Sequence, residues 1–238
     1  MPSCLIVLSD AHLDDGRAAT EPLLLSFLAR ASDVGDALLI NGDLFDFWFG
    51  YPTHRFPHGR AVLAALGALA RRLPVTFVGG NHDRWGSPAW AEELGLRWFA
   101  RSARLAVGAR PVFAHHGDAI GTGRADRLRQ TIVAHPLTSA TFALLPPALG
   151  YRVVRALDGA LANPKDDARV AAVSATQQAW ADRTLASEPP GTVLVTGHSH
   201  LPVLRHLADG RVHANPGAFY DGGRYLTVTE TAVTLHRA

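Results

Sequence analysis

A single cysteine, Cys4, stands among 238 residues, so no intramolecular disulfide can form. Lysine is as scarce: Lys165 is the only one, and every other basic side chain is arginine. Net charge is small, with 23 basic against 21 acidic residues and an isoelectric point near 9.0. That balance gives no reason to expect a nucleic-acid partner. No stretch approaches the roughly 18 uninterrupted apolar residues of a membrane-spanning helix. Residues 1–9 hold a short apolar run without a basic leader, so no signal peptide is expected and a cytoplasmic setting fits. Charged residues are only 18% against 47% hydrophobic, which excludes global disorder. The length allows one domain, or one core carrying an insertion. The unusual number is 12 histidines.

The N-terminal half alternates short apolar runs with segments of helical spacing. Cys4–Leu8, Ala37–Ile40, Val75–Val78 and Pro111–Ala114 read as buried parallel strands. Glu21–Ala31, Gly59–Leu73 and Pro88–Leu94 read as helices. Each strand stops in polar residues and glycine, and in open α/β sheets ligands bind at such C-terminal strand ends. Residues 119–190 contain no clear strand. They are rich in Ala, Leu and Arg, broken by Pro136, Pro146-Pro147 and Pro164, and read as a helical insertion. Its last helix is expected over Lys165–Ala186, with Val170, Val173, Gln177 and Trp180 on one face. Strands resume at Thr192–Thr196, Val203–Leu207, Arg211–Ala214, Tyr225–Thr229 and Ala232–His236, with a hairpin turn at Asp209-Gly210. The core is therefore expected over 1–118 and 191–238, in an α/β fold.

The strand ends carry Asp10-x-His12, Gly42-Asp43, Asn81-His82-Asp83, His116-Gly117-Asp118 and His198-x-His200. These are oxygen and imidazole donors without a thiolate, a set suited to Mn, Fe(II) or Zn. Were the strands to continue, residues i and i+2 would face one way, presenting Asp10 with His12 and His198 with His200. The donors outnumber the needs of one four-coordinate ion, so two metals are expected. Two ions about 3.5–4 Å apart suit in-line displacement at phosphorus. Each block alone is ordinary; five in this order, each after an apolar strand, are not.

The five blocks resemble those of the calcineurin-like metallophosphoesterases, with Gly42-Asp43-Leu44-Phe45-Asp46 completing the second. The resemblance implies a four-layered αββα sandwich and a dinuclear site. It implies that Asp10, His12, Asp43 and His200 hold the first metal, and that Asp43 bridges to a second held by Asn81, His116 and His198. A water or hydroxide between the metals would attack phosphorus. His82 would contact the phosphoryl oxygen or protonate the leaving group, positioned by Asp83. His116, next to Gly117-Asp118, is favoured as ligand over His115, which is expected to pack or support. Asp46 and Asp118 are expected to support ligands. His135, His206, His213 and His236 match no block, and neither do His54 and His58; surface or packing roles are expected for all six.

A narrower resemblance, carried by Gly42–Gly50, His116-Gly117-Asp118 and Leu144-Leu145-Pro146-Pro147, is to the branch that hydrolyses UDP-2,3-diacylglucosamine in lipid A synthesis. It implies products UMP and 2,3-diacylglucosamine 1-phosphate, usually with Mn2+, and makes 119–190 a lid over acyl chains. The partners implied are a nucleotide-activated acylated sugar and the cytoplasmic membrane surface, with no obligate protein partner. Arg124 and Arg127 are the candidate substrate-binding residues. The chain departs from that branch at Arg124, where a carboxylate is usual, and at His82, where arginine is usual. The alternative is a metal-dependent phosphodiesterase or phosphatase acting on a nucleotide or other soluble phosphoester.

Overall fold

In the computed structural model, the residues described are 1–13, 19–46, 48–50, 59–86, 88–120, 131, 135–146, 148–150, 152–153, 156 and 167–238. β1 forms over Cys4–Leu8, followed by α1 (Thr20–Val34), β2 (Ala37–Asn41), a two-residue β3 (Phe49–Gly50), α2 (Arg60–Ala70) and β4 (Val75–Val78). Then come β5 (Trp85–Gly86), α3 (Ala89–Glu93), β6 (Arg97–Phe99), β7 (Ser102–Val107) and β8 (Arg110–His115). Among the described residues, α4 (Pro136–Ala143) and α5 (Asp167–Ala186) follow. β9 (Val193–Val195), β10 (Val203–His206), β11 (Val212–Asn215), β12 (Arg224–Thr229) and β13 (Val233–Arg237) close the chain. The strands form a six-stranded sheet, β13-β12-β1-β2-β4-β6, and a five-stranded sheet, β10-β11-β9-β8-β7.

The layering follows from side-chain alternation along buried strands. In β1, Leu5 and Val7 face the second sheet, while Ile6 and Leu8 face α1 and α2. In β2, Ala37 and Leu39 turn inward and Leu38 and Ile40 outward. The second sheet answers with Val112, Ala114, Val193, Val195, Val212 and Ala214. Leu24, Phe27 and Leu28 of α1 and Val62, Leu63 and Leu66 of α2 cover the first sheet's outer face. On the far side Ala181 and Leu185 of α5 pack on Leu194 and Phe113. The order is helix, sheet, sheet, helix.

Asp167–Ala186 supplies the fourth layer, its face of Ser174, Gln177, Ala181 and Leu185 buried. Two strands of the main sheets, β6 and β7, escaped the sequence reading, as did the two-residue β3 and β5. β7 is an edge strand of mixed burial, so its apolar residues make no continuous run. β6 is three residues long and mostly half-buried. Among the described residues no helix is long and apolar enough to cross a membrane. Arg124 and Arg127, and with them His54 and His58, lie outside the described residues.

Candidate metal centre

The site gathers where strands of both sheets end. The segment after β1 runs beside the segment after β2: Asp10 N–H donates to Gly42 O at 3.0 Å and His12 N–H to Asp43 O at 3.0 Å. Gly197 N–H donates to His116 O at 2.8 Å, tying the loops after β9 and β8 together. The expected i, i+2 presentation along continuing strands is corrected here. β1 ends at Leu8 and β9 at Val195, before any of these donors. The chain instead turns left-handed at Asp10 (φ 56°), His12 (46°), Asp43 (53°), His198 (65°) and His200 (61°). Only one other described non-glycine residue, Asp209 in the β10–β11 hairpin, has φ in that region. Such backbone costs about 1–3 kcal/mol per residue and persists where surroundings over-determine it. Here these left-handed turns, and not strand alternation, bring the donor side chains together.

Two groups of donors result. Atoms of Asp10, His12 and His200 lie within 4.8 Å of one another, as do those of Asp43, His116 and His198. His12 joins the groups, lying with Asp43 and His82 in a third set of the same spread. The Asp43 carboxylate divides its oxygens. Oδ1 accepts from His82 N–H at 2.9 Å. Oδ2 is buried, makes no hydrogen bond, and stands 3.1 Å from His116 Nε2 and 3.8 Å from His12 Nε2. Gly80 is required beneath it, because a Cβ there would overlap the carboxylate. Asn81 follows in the same turn, half-buried, its Oδ1 sealed from solvent.

The outer nitrogens of the rings are fixed by acceptors. His12 Nδ1 donates to Asp46 Oδ1 at 3.0 Å and His116 Nδ1 to Asn41 O at 2.8 Å. His200 Nδ1 meets the Tyr220 hydroxyl at 2.8 Å. A carbonyl or carboxylate only accepts, so His12 and His116 carry Nδ1–H and turn Nε2 inward. Asp46 thus supports His12, as expected. Tyr220, twenty residues beyond His200, left no trace in the sequence. Neither did Ser9, whose hydroxyl donates to the Asp10 carboxylate. Asp118 pairs with the buried Arg84 guanidinium.

Two expectations about the third block and its neighbour resolve differently. Asp83 does not orient His82. Its buried carboxylate accepts from Leu44 N–H at 2.6 Å and Gly80 N–H at 2.9 Å, while His82 Nδ1 donates to the Asp46 carbonyl. Asp83 and His82 are adjacent in a turn, and the carboxylate points down into the loop framework. His115 packs on the Trp180 ring at 5.3 Å between centroids, leaving His116 at the site.

The charges favour cations. Burial opposes ionisation of Asp10 and Asp43, yet facing histidines hold both well below the usual carboxylate range. Burial opposes a charged His12, but bonds to Asp10 and Asp46 raise it to about 9. For His116 the Asp43 charge outweighs burial and raises it to about 10. Burial, then repulsion from His116, pushes His198 down to about 4. Burial, then Asp43, pushes Asp83 up to about 6. A field that holds protons on His12 and His116 is one that a divalent cation satisfies by displacing them. The inward Nε2 atoms, once freed of those protons, and the unbonded Asp43 oxygen fit such ions.

Residues 5–219 match the calcineurin-like phosphoesterase family. The chain is 30% identical to a protein of Stenotrophomonas maltophilia named UDP-2,3-diacylglucosamine hydrolase, over 94% of each chain. It is likewise 30% identical to one of that name from Xanthomonas campestris pv. campestris, over 98% of each. Among solved structures, Yfce, a phosphoesterase from E. coli, aligns over 98% of both chains at 17% identity and a TM-score of 0.47. The chain belongs to the calcineurin-like phosphoesterase family of metal-dependent hydrolases.

Proposed function

We propose that the protein hydrolyses the pyrophosphate of UDP-2,3-diacylglucosamine, releasing UMP and 2,3-diacylglucosamine 1-phosphate. One observation carries the chemistry: the unbonded Asp43 oxygen lies between His116 and His12, where a carboxylate can serve two cations. The relatives' name supports the substrate. Asp10, His12, Asp43 and His200 hold one ion, and Asp43, Asn81, His116 and His198 the other. Mn2+ is the proposed metal, as the resemblance implies; the oxygen and imidazole donors are compatible with it. Bound, the ions would neutralise phosphoryl charge and acidify the attacking water.

The remaining work falls to the chain. Water adds to the α-phosphorus, the bond to the bridging oxygen breaks, and the sugar phosphate departs. His82, held through Nδ1 by the Asp46 carbonyl, offers Nε2 to a phosphoryl oxygen or, when protonated, gives its proton to the leaving oxygen. Asp83 serves by fixing the turn that carries Asn81 and His82. Residues 119–190 would act as the lid, and Arg124 and Arg127 remain the candidate headgroup-binding residues. Exposure of Leu137 (70%), Leu144 (85%) and Leu149 (45%) supports acyl chains or the cytoplasmic membrane face as its counterpart.

The test compares Mn2+-dependent turnover of UDP-2,3-diacylglucosamine with that of its unacylated parent sugar nucleotide. Preference for the acylated substrate is expected. Full activity on the unacylated one alone would instead favour the soluble phosphoester hydrolase.

A further inference from the structure

We infer that Gln177 of α5 is a positioning residue for the metal site formed by Asp43, His116 and His198. The inference rests on the dinuclear reading above. Gln177 sits at the middle of the outer helix and is 1% exposed. Its Nε2 reaches Gly197 O at 3.0 Å and Gly117 O at 3.5 Å. Gly117 directly follows His116, and Gly197 directly precedes His198. One side-chain amide, with two hydrogens to give, thus spans the two loops that deliver both histidines of that group. The fit is close: a Cβ on Gly117, whose φ is +109°, would overlap the Gln177 amide.

Gly197 O is a hub. Besides Gln177 it accepts from Asn215 Nδ2 at 3.0 Å and from Ser199 N–H at 2.7 Å. Three donors on one carbonyl fix the 197–198 peptide plane. The same plane directs His198 N–H at the Asp10 carboxylate, at 3.0 and 3.1 Å from its two oxygens. His198 is held left-handed at φ 65°, a conformation that needs such over-determination. By contrast Ala181 and Leu185, on the same face of α5, only pack on the sheet. The outer helix therefore does two separable jobs, and Gln177 performs the one directed at the metal centre.

The experiment titrates Mn2+ into chelator-stripped wild-type, Gln177→Met and Leu185→Ala proteins by calorimetry, and melts each metal-free protein. Methionine keeps the length of glutamine and removes both donors. Leu185→Ala loosens the same helix without touching either loop. Two Mn2+ should bind the wild type. Gln177→Met should keep one at wild-type affinity and bind the other roughly 10–100-fold more weakly. Leu185→Ala should melt lower yet bind both normally. The inference is overturned if Gln177→Met binds both ions as the wild type does, or if both variants lose affinity in step with their melting temperatures. A Gln177→Met chain that cannot fold would also overturn it, making Gln177 a fold determinant. Fewer than two ions on the wild type would instead defeat the dinuclear reading itself.

Discussion

The Nε2 atoms of His12 and His200 stand 3.2 Å apart, although 188 residues separate them in sequence. Each ring has its Nδ1 engaged elsewhere, His12 by Asp46 and His200 by Tyr220. Two ring nitrogens at that distance need a proton or a metal ion between them. Asp10 Oδ1, 3.3 Å from His200 Nε2, completes a donor triangle on that side. Asp43 with His116 and His198 forms the matching group on the other.

Asp43→Ala removes the carboxylate that faces both groups. The expected result is loss of the two-metal state, read as metal per chain by elemental analysis after Mn2+ loading. Retention of two ions would refute the bridging assignment.

His82→Ala separates proton chemistry from metal binding. The His82 backbone N–H that holds Asp43 survives the change. Metal content should therefore stay at wild-type level while kcat falls about 10²–10⁴-fold, as for loss of an acid–base group. Loss of metal in this variant would assign the imidazole a ligand role instead.

Tyr220→Phe deletes the hydroxyl that fixes His200 Nδ1. Affinity for one ion should weaken roughly tenfold or more, with little change in fold. Asp46→Ala should act similarly through His12 while also removing a carboxylate near the site. Unchanged Mn2+ isotherms for both would show that the rings hold their orientation unaided.

His213 predicts an acid sensitivity unrelated to catalysis. The ring is buried against Thr196 Oγ1 at 3.0 Å, and burial, then the Arg205 charge, pushes its pKa down to about 4 from 6.5. Asp182, ion-paired with Arg205, pulls the other way. The unfolded chain binds the proton more readily. The contribution is thus complete above about pH 6.5 and is lost as pH falls toward 4, an effect of about 3 kcal/mol at most. His213→Gln should flatten the dependence of Tm on pH across that window. Part of the slope should survive, because His115 is shifted down to about 4 by its own burial.

Much of this architecture was legible because the central strands are buried on both faces. Cys4–Leu8 runs apolar without interruption, Val75–Val78 with only Thr76 between apolar residues, and both end where the sequence says they do. The donor blocks were legible because they sit at those ends. What could not be read is geometry that alternation does not encode. The left-handed turns at Asp10 and His198 carry no glycine to announce them. Tyr220 and Gln177 act from a distant loop and from an outer helix, and nothing local marks either as facing the site. Asp83 illustrates the opposite case. Adjacency to His82 suggested a pair, but the backbone N–H groups of Gly80 in its own turn and of Leu44 after β2 claim its carboxylate.

The most direct measurement is hydrolysis of UDP-2,3-diacylglucosamine by Mn2+-loaded protein in 18O-water, with products identified by mass spectrometry. The account predicts UMP carrying one 18O and unlabelled 2,3-diacylglucosamine 1-phosphate. Label in the sugar phosphate would contradict attack at the α-phosphorus. Absence of both products, beside Mn2+-dependent cleavage of a simple phosphodiester, would contradict the substrate.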